Sequence, residues 1–209
     1  LIDKYHDKAA LDGTRIVPSC GYDSIPSDLG VYFSVTRSNK PVKHITVYHS
    51  AKGGASGGTT ETMFTMGPLP KEMRDPFLLN PPGTVSEIQR DRSSDGFSVK
   101  SIPGTDAYSG MGLMAFANTR VVRRSSALFD LNQKSYGPDF TFKELGSYPS
   151  KAAARITSLV LMSAFLVIAT PLRHLVRPLL PKPGDGPDKE ARDNGWFRGL
   201  FIAELEVGS

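Results

Sequence analysis

The residues best suited to chemistry lie in one bend, Cys20-Gly21-Tyr22-Asp23-Ser24, inside the stretch RIVPSCGYDSIPSDLGVYF from Arg15 to Phe33. Cys20 could act as a thiolate if it were accessible and its pKa lowered; a small buried residue at a strand end is the plainer reading. Asp23 and Asp28 could orient a substrate. They could equally serve the following helix, with Asp23 or Ser24 as its N-cap and Asp28 near the positive end of its dipole. Tyr22, Cys20 and Asp23 are candidate proton donors by place alone.

Two further groups stand out. The run KGGASGGTT at 52–60 contains Gly53, Gly54, Ser56, Gly57, Gly58 and Thr59. Paired glycines are poor strand interior and suit a loop approached closely by another group. It lacks the Gly-Lys-Ser/Thr ending of a phosphate-binding P-loop, and a flexible connector is its plainer reading. Arg120, Arg123 and Arg124 share one helix edge, where like charges call for an anion: an acidic segment, a phosphate or a lipid headgroup. A solvated face is the alternative. No metal site is expected, because His44 and His49 are five apart on a strand and point to opposite faces.

These groups must be held by ordinary elements. Residues 1–12 read as an amphipathic helix with Ile2, Tyr5 and Ala9 on one face and Gly13 as its stop. Ile16 and Val17 then start a strand, and Ser27 to Val35 form a helix with Pro26 in its first turn. Residues 42–50 suit a strand: Lys43, Ile45, Val47 and His49 share one face, and Val42, His44, Thr46 and Tyr48 the other. Thr59 or Thr60 caps a short helix through Met66. Residues 67–96 form a long loop or lid pinned by Met73, Phe77, Leu78 and Leu79. Phe97 to Ile102 and Leu113 to Ala117 read as short strands. A helix over 118–130, capped by Asn118 or Thr119, turns Val121, Val122, Ser125, Leu128 and Phe129 inward. Met111, Met114 and Phe116 serve either as core or as a pocket lining.

Composition narrows the class. Hydrophobic content of 39% with 22% charge is that of a folded protein, and 20 glycines and 16 prolines imply many loops. Net charge is +4, with pI near 9.2. No basic patch is interleaved with aromatics, so nucleic acid is not an expected partner. One cysteine cannot form an internal disulfide, which favours a reducing, intracellular compartment.

The run from Ile156 to Leu172 contains no charge over 17 residues, between Arg155 and Arg173. A buried core helix, a membrane span and a helix inserted into one leaflet all satisfy it. Residues 183–196 form a polar linker. FIAELEV then alternates as a half-buried strand, with Phe201, Ala203, Leu205 and Val207 on one side. It is expected to join the sheet that holds 42–50.

PSCGYDSIPSDLGVY resembles the central motif of the saccharopine dehydrogenase-like oxidoreductases, a group that includes the mycobacterial trans-acting enoyl reductases. KYHDKAALDG, GGASGGT and NTRVVRRSSALF agree with it in order. The resemblance implies an α/β fold. Residues 1–37 would close a Rossmann-type cofactor domain, and 38–209 would form a mixed α+β substrate domain with an apolar helical insertion at about 150–181. It also implies NAD(P) and hydride transfer to a lipid-like substrate. The nicotinamide side would be Cys20, Gly21, Asp23 and Ser24, and 53–59 the substrate-side loop.

The chain carries no G-x-G-x-x-G after a strand and begins at Leu1 inside a helical pattern. It therefore reads as an internal piece, severed from its cofactor domain and expected to bind NAD(P) weakly or not at all. The apolar run, with the vertebrate relative's link to lipid droplets, implies association with a membrane or droplet. A homodimer stays open, and so does a non-catalytic membrane or droplet module built on a dehydrogenase scaffold.

Overall fold

The fold is taken from a computed structural model, which describes residues 2–54, 57–66 and 71–206. The described residues form eight α-helices and one four-stranded mixed sheet. In chain order these are α1 (Ile2–Asp12), α2 (Ser24–Arg37), β1 (Val42–Lys52), α3 (Gly57–Met66), α4 (Glu87–Arg92), β2 (Tyr108–Gly110), α5 (Ala115–Leu131), β3 (Thr141–Tyr148), α6 (Lys151–Ile168), α7 (Arg173–Val176), α8 (Lys189–Asp193) and β4 (Trp196–Leu205). Ser56 of the glycine loop, the Met73 side chain and Val207 lie outside the described residues.

The sheet order is β2-β3-β1-β4. The β1–β3 pair is parallel, and both outer pairs are antiparallel. β4 joins β1 as its alternation predicts. β1 is rich in β-branched and aromatic residues, which fit a pleated, half-buried surface. A register shift between Val42 and His44 lets Val42 bury with Ile45 and Val47, although strict alternation would place it opposite them. These three join Val31 of α2, Val122 of α5, Phe142 of β3, Tyr136 and Phe140 in the core. Phe201 of β4 packs against that core, and any Cβ at Gly30 of α2 would collide with its ring.

α1 ends as its sequence predicts. Gly13 is left-handed at φ 70°, and the Gly13 and Thr14 amides donate to the Ala10 and Ala9 carbonyls. Other expectations fail for identifiable reasons. Ile16 and Val17 form no strand and are exposed, since no neighbouring strand among the described residues pairs with them. α2 begins at Ser24 rather than Ser27. Asp23 stands at its N-cap with φ 108° and accepts no capping hydrogen bond. Residues 113–117 do not form a strand: α5 starts at Ala115, so Asn118 and Thr119 lie inside the helix, buried, instead of capping it. Of 97–102, only Ser101 pairs, through an isolated bridge to Tyr108.

Residues 76–95 are tied to α5 by charge and hydrogen bonds. α5 turns Arg120 and Arg123 inward, not to an outer edge. Asp95 meets both guanidinium groups at 3.0 Å. Arg123 also donates to the carbonyls of Pro76, Ser93 and Phe142, and Arg124 to that of Leu79. Phe77 is buried and lies under the Arg123 guanidinium. Several carbonyls and one carboxylate thus compensate the desolvation of two cations.

Candidate functional site

The parallel strands β1 and β3 run side by side toward the N-terminal turn of α2. On their inward face, His49 follows Ile45 and Val47 by alternation, and Glu144 follows Phe142. Ser27, on the first turn of α2, is fully buried between them. Its hydroxyl donates to Glu144 Oε2 at 2.7 Å and lies 2.9 Å from His49 Nε2. Asn118 of α5 donates to the other Glu144 oxygen at 3.0 Å, and Ser24 donates to Asn118 Oδ1 at 2.9 Å. Four elements thus converge on one carboxylate.

The proton positions follow from donor counting. A serine hydroxyl has one proton, and Glu144 receives it. His49 Nε2 must therefore donate to Ser27 Oγ. This fixes the tautomer and leaves Nδ1 as the variable nitrogen: bare in the neutral ring, N–H in the cation. His49 Nδ1 is buried and has no hydrogen-bond partner in the structure. Glu144 Oε2 lies 3.6 Å from His49 Nε2. Phe197 covers the imidazole at a centroid distance of 4.8 Å, and Tyr22 packs edge-on against Phe197 at 5.3 Å. The outer rim is therefore aromatic and the floor polar.

Asp23 stands at the rim. Burial first, then the Glu144 charge, push its carboxyl above the usual aspartate range, while His49 pulls it back. Burial, and then Asp23, likewise raise the Tyr22 phenol. A non-glycine residue at φ 108° is strained, and such strain recurs where a site over-determines its backbone.

The bend predicted from sequence is thus partly built into this site. Tyr22, Asp23 and Ser24 belong to it, whereas Cys20 is exposed in the preceding turn and Gly21 leads into α2. Asp28 faces away and accepts from Ser125 of α5. The glycine loop lies elsewhere. Gly57 starts α3, earlier than a Thr59 or Thr60 cap would allow. It donates to the Asp185 carbonyl, and a Cβ there would collide with the Lys182 backbone. Gly54 lies against Pro187, so segment 182–187 of the same chain makes these close approaches. Arg120 and Arg123 find their anion within the chain, in Asp95.

The residues not singled out from sequence as chemical are Ser27, His49, Glu144 and Asn118. A signal did exist: a histidine on the Ile45–Val47 face, and a carboxylate between Phe142 and Gly146 in a strand.

This geometry does not accommodate a whole nicotinamide dinucleotide. Its pyrophosphate does not fit: Asp23 and Glu144 make the rim and floor anionic, and the nearby arginines of α5 are bound to Asp95 and to carbonyls. His49 Nδ1 itself lies beneath Phe197 and beside β4, where a Cβ at Gly199 would stand 3.2 Å from it. Among the described residues no cluster of histidine, cysteine and acidic side chains could hold a metal.

Comparison with known proteins gives a consistent kinship. A Mycobacterium tuberculosis protein provisionally named as a trans-acting enoyl reductase is 35% identical over 222 aligned positions, covering 94% of this chain and 52% of the relative. Trans-acting enoyl reductases of Mycobacterium ulcerans and Mycobacterium leprae are 33% and 30% identical, again over 94% of this chain and 52% of each relative. The chain thus spans about half the length of the curated relatives it matches. No family model matches, and no solved structure matches.

Proposed function

We propose, with this kinship as the premise, that the chain is the substrate half of an NAD(P)-dependent oxidoreductase that reduces a carbon–carbon double bond conjugated to a carbonyl in a lipid-like molecule. The observation that carries the proposal is the buried Ser27–His49–Glu144–Asn118 network, with one imidazole nitrogen left over. The nicotinamide, when bound, supplies a hydride. Residues outside this network would hold its phosphates, and Cys20, Gly21, Asp23 and Ser24 would face its nicotinamide side.

The chain's own residues handle the proton. His49 holds it at Nδ1 and delivers it to the carbon beside the carbonyl. Glu144 stabilises the charged ring, and Ser27 fixes its orientation by accepting from Nε2. Asn118 and Ser24 hold Glu144 in place. Phe197 and Tyr22 exclude water and lie against the substrate's apolar part.

Nitrogen-15 spectra of the labelled histidines test this. In its neutral form, His49 shows a protonated Nε2 and a bare Nδ1. Addition of an apolar α,β-unsaturated acyl thioester moves the His49 ring signals and leaves those of His6, His44 and His174 in place. If His49 stays still while the thioester binds, the assignment is wrong. The chain alone binds NADPH very weakly or not at all, as calorimetric titration measures.

A further inference from the structure

α6 carries the second informative surface, and its sequence leaves three readings open. The structure removes two. α6 is not a core helix: only 11% of its residues are buried. Ile156 is 64% exposed, Leu159 65% and Leu166 67%, with Val160 and Met162 also in water. Nor is it free to cross a bilayer. Ala154 and Ser158 are buried, and α6 packs along β2 and β3. Ser158 Oγ accepts the Met111 amide at 2.9 Å, and Phe165 meets Phe116 edge-on at 5.9 Å. Crossing would strip this face from the sheet and expose the Met111 amide that Ser158 satisfies.

The two faces follow the helical repeat. Ala154, Ser158, Leu161 and Phe165 point to the sheet, while Ile156, Leu159, Val160, Ser163 and Leu166 point away. The apolar surface continues in the exposed Leu172, Leu175 and Leu179. Charge identifies the occupant. From Lys151 to Gly184 the chain contains Lys151, Arg155, Arg173, Arg177 and Lys182 and no aspartate or glutamate. Among the described residues, Arg177 alone of these is paired with a carboxylate, Glu61. A predominantly cationic, apolar surface matches the headgroups and outer acyl region of an anionic leaflet; a second copy would bring the same charges against themselves.

We infer that α6 lies in the plane of the membrane, its Ile156–Leu159–Val160–Leu166 face inserted in one leaflet of an anionic bilayer while its opposite face stays on the sheet. The helix axis is parallel to the surface. Arg155, Arg173 and Lys182 stay at headgroup depth, and Trp196 to Leu205 remain outside the lipid with the rest of the sheet. This inference rests on α6 and is independent of the redox reading.

Vesicle flotation tests it. The chain floats with phosphatidylglycerol/phosphatidylcholine vesicles and at least tenfold less with phosphatidylcholine alone. Leu159→Asp/Leu166→Asp, both at exposed positions, lowers flotation at least tenfold with unchanged circular dichroism. Orientation is read from cysteines placed by Ile156→Cys or Leu166→Cys in a Cys20→Ser background, with a fluorophore quenched by brominated lipids. Equal quenching depth at both sites supports the in-plane helix. A steady depth gradient, flotation insensitive to the double substitution, or dimerisation abolished by that substitution without lipid binding each overturns it. The redox reading fails separately, in the histidine spectra.

Discussion

The α2–β1–β3 junction and α6 invert the usual partition of side chains in opposite directions. At the junction, Ser27, Asn118 and Glu144 are buried to within 5% of full burial. On α6, five large apolar side chains lie at least half exposed. Burying polar groups is tolerable only where donors and acceptors are matched, and here they are matched down to the single nitrogen of His49. Exposing apolar groups is tolerable only where a partner covers them. The contrast separates a site that is internally complete, save for one proton position, from a surface that is externally incomplete.

Substitutions can break or sharpen this contrast. The largest effect is expected beside the junction, at the ion cluster. Asp95→Ala leaves the buried guanidinium groups of Arg120 and Arg123 without their carboxylate, at a cost of about 3–5 kcal/mol in urea unfolding. A loss below about 1 kcal/mol would show that the carbonyls alone suffice. Glu144→Ala removes the acceptor of Ser27 and Asn118 and is expected to cost about 3 kcal/mol; Glu144→Gln, which keeps an acceptor oxygen, recovers part of it.

A smaller effect of opposite sign is expected at Asp28. Burial raises its carboxyl above the usual range, against the Ser125 hydrogen bond, and one of its oxygens is buried without a partner. The folded state therefore binds the proton more tightly than the unfolded chain. Stability falls as pH rises from the ordinary aspartate pKa through the raised folded value. Asp28→Asn removes that slope and gains less than about 1 kcal/mol at pH 7, as thermal melts across pH measure. The smallest effect is on α6: Leu159→Gln changes stability by less than about 0.5 kcal/mol while weakening vesicle binding. A large loss there would mean that the face is structural and the contrast false.

Much of the fold was legible in local pattern. β1 stands out by its β-branched alternation, β4 and its partner strand by FIAELEV, and the end of α1 by Gly13. These depend on neighbours within a few residues, where sterics and period dominate. The element starts were less legible. Asn118 looks like a cap because caps and buried network residues use the same side chains, and only Glu144, 26 residues away, decides between them. The three arginines of α5 look solvent-facing because charge is rarely buried, and only Asp95 arriving from the loop makes burial affordable.

The amino-acid order alone identified the bend before α2, the apolar charge-free run and the kinship with trans-acting enoyl reductases, because each resides in contiguous residues. Which nitrogen of His49 is left over, which carboxylate holds it, and whether the apolar run faces core or solvent were settled by folding. Those properties belong to groups 22 to 117 residues apart, and hydrogen bonds act over about 3 Å of space regardless of chain distance.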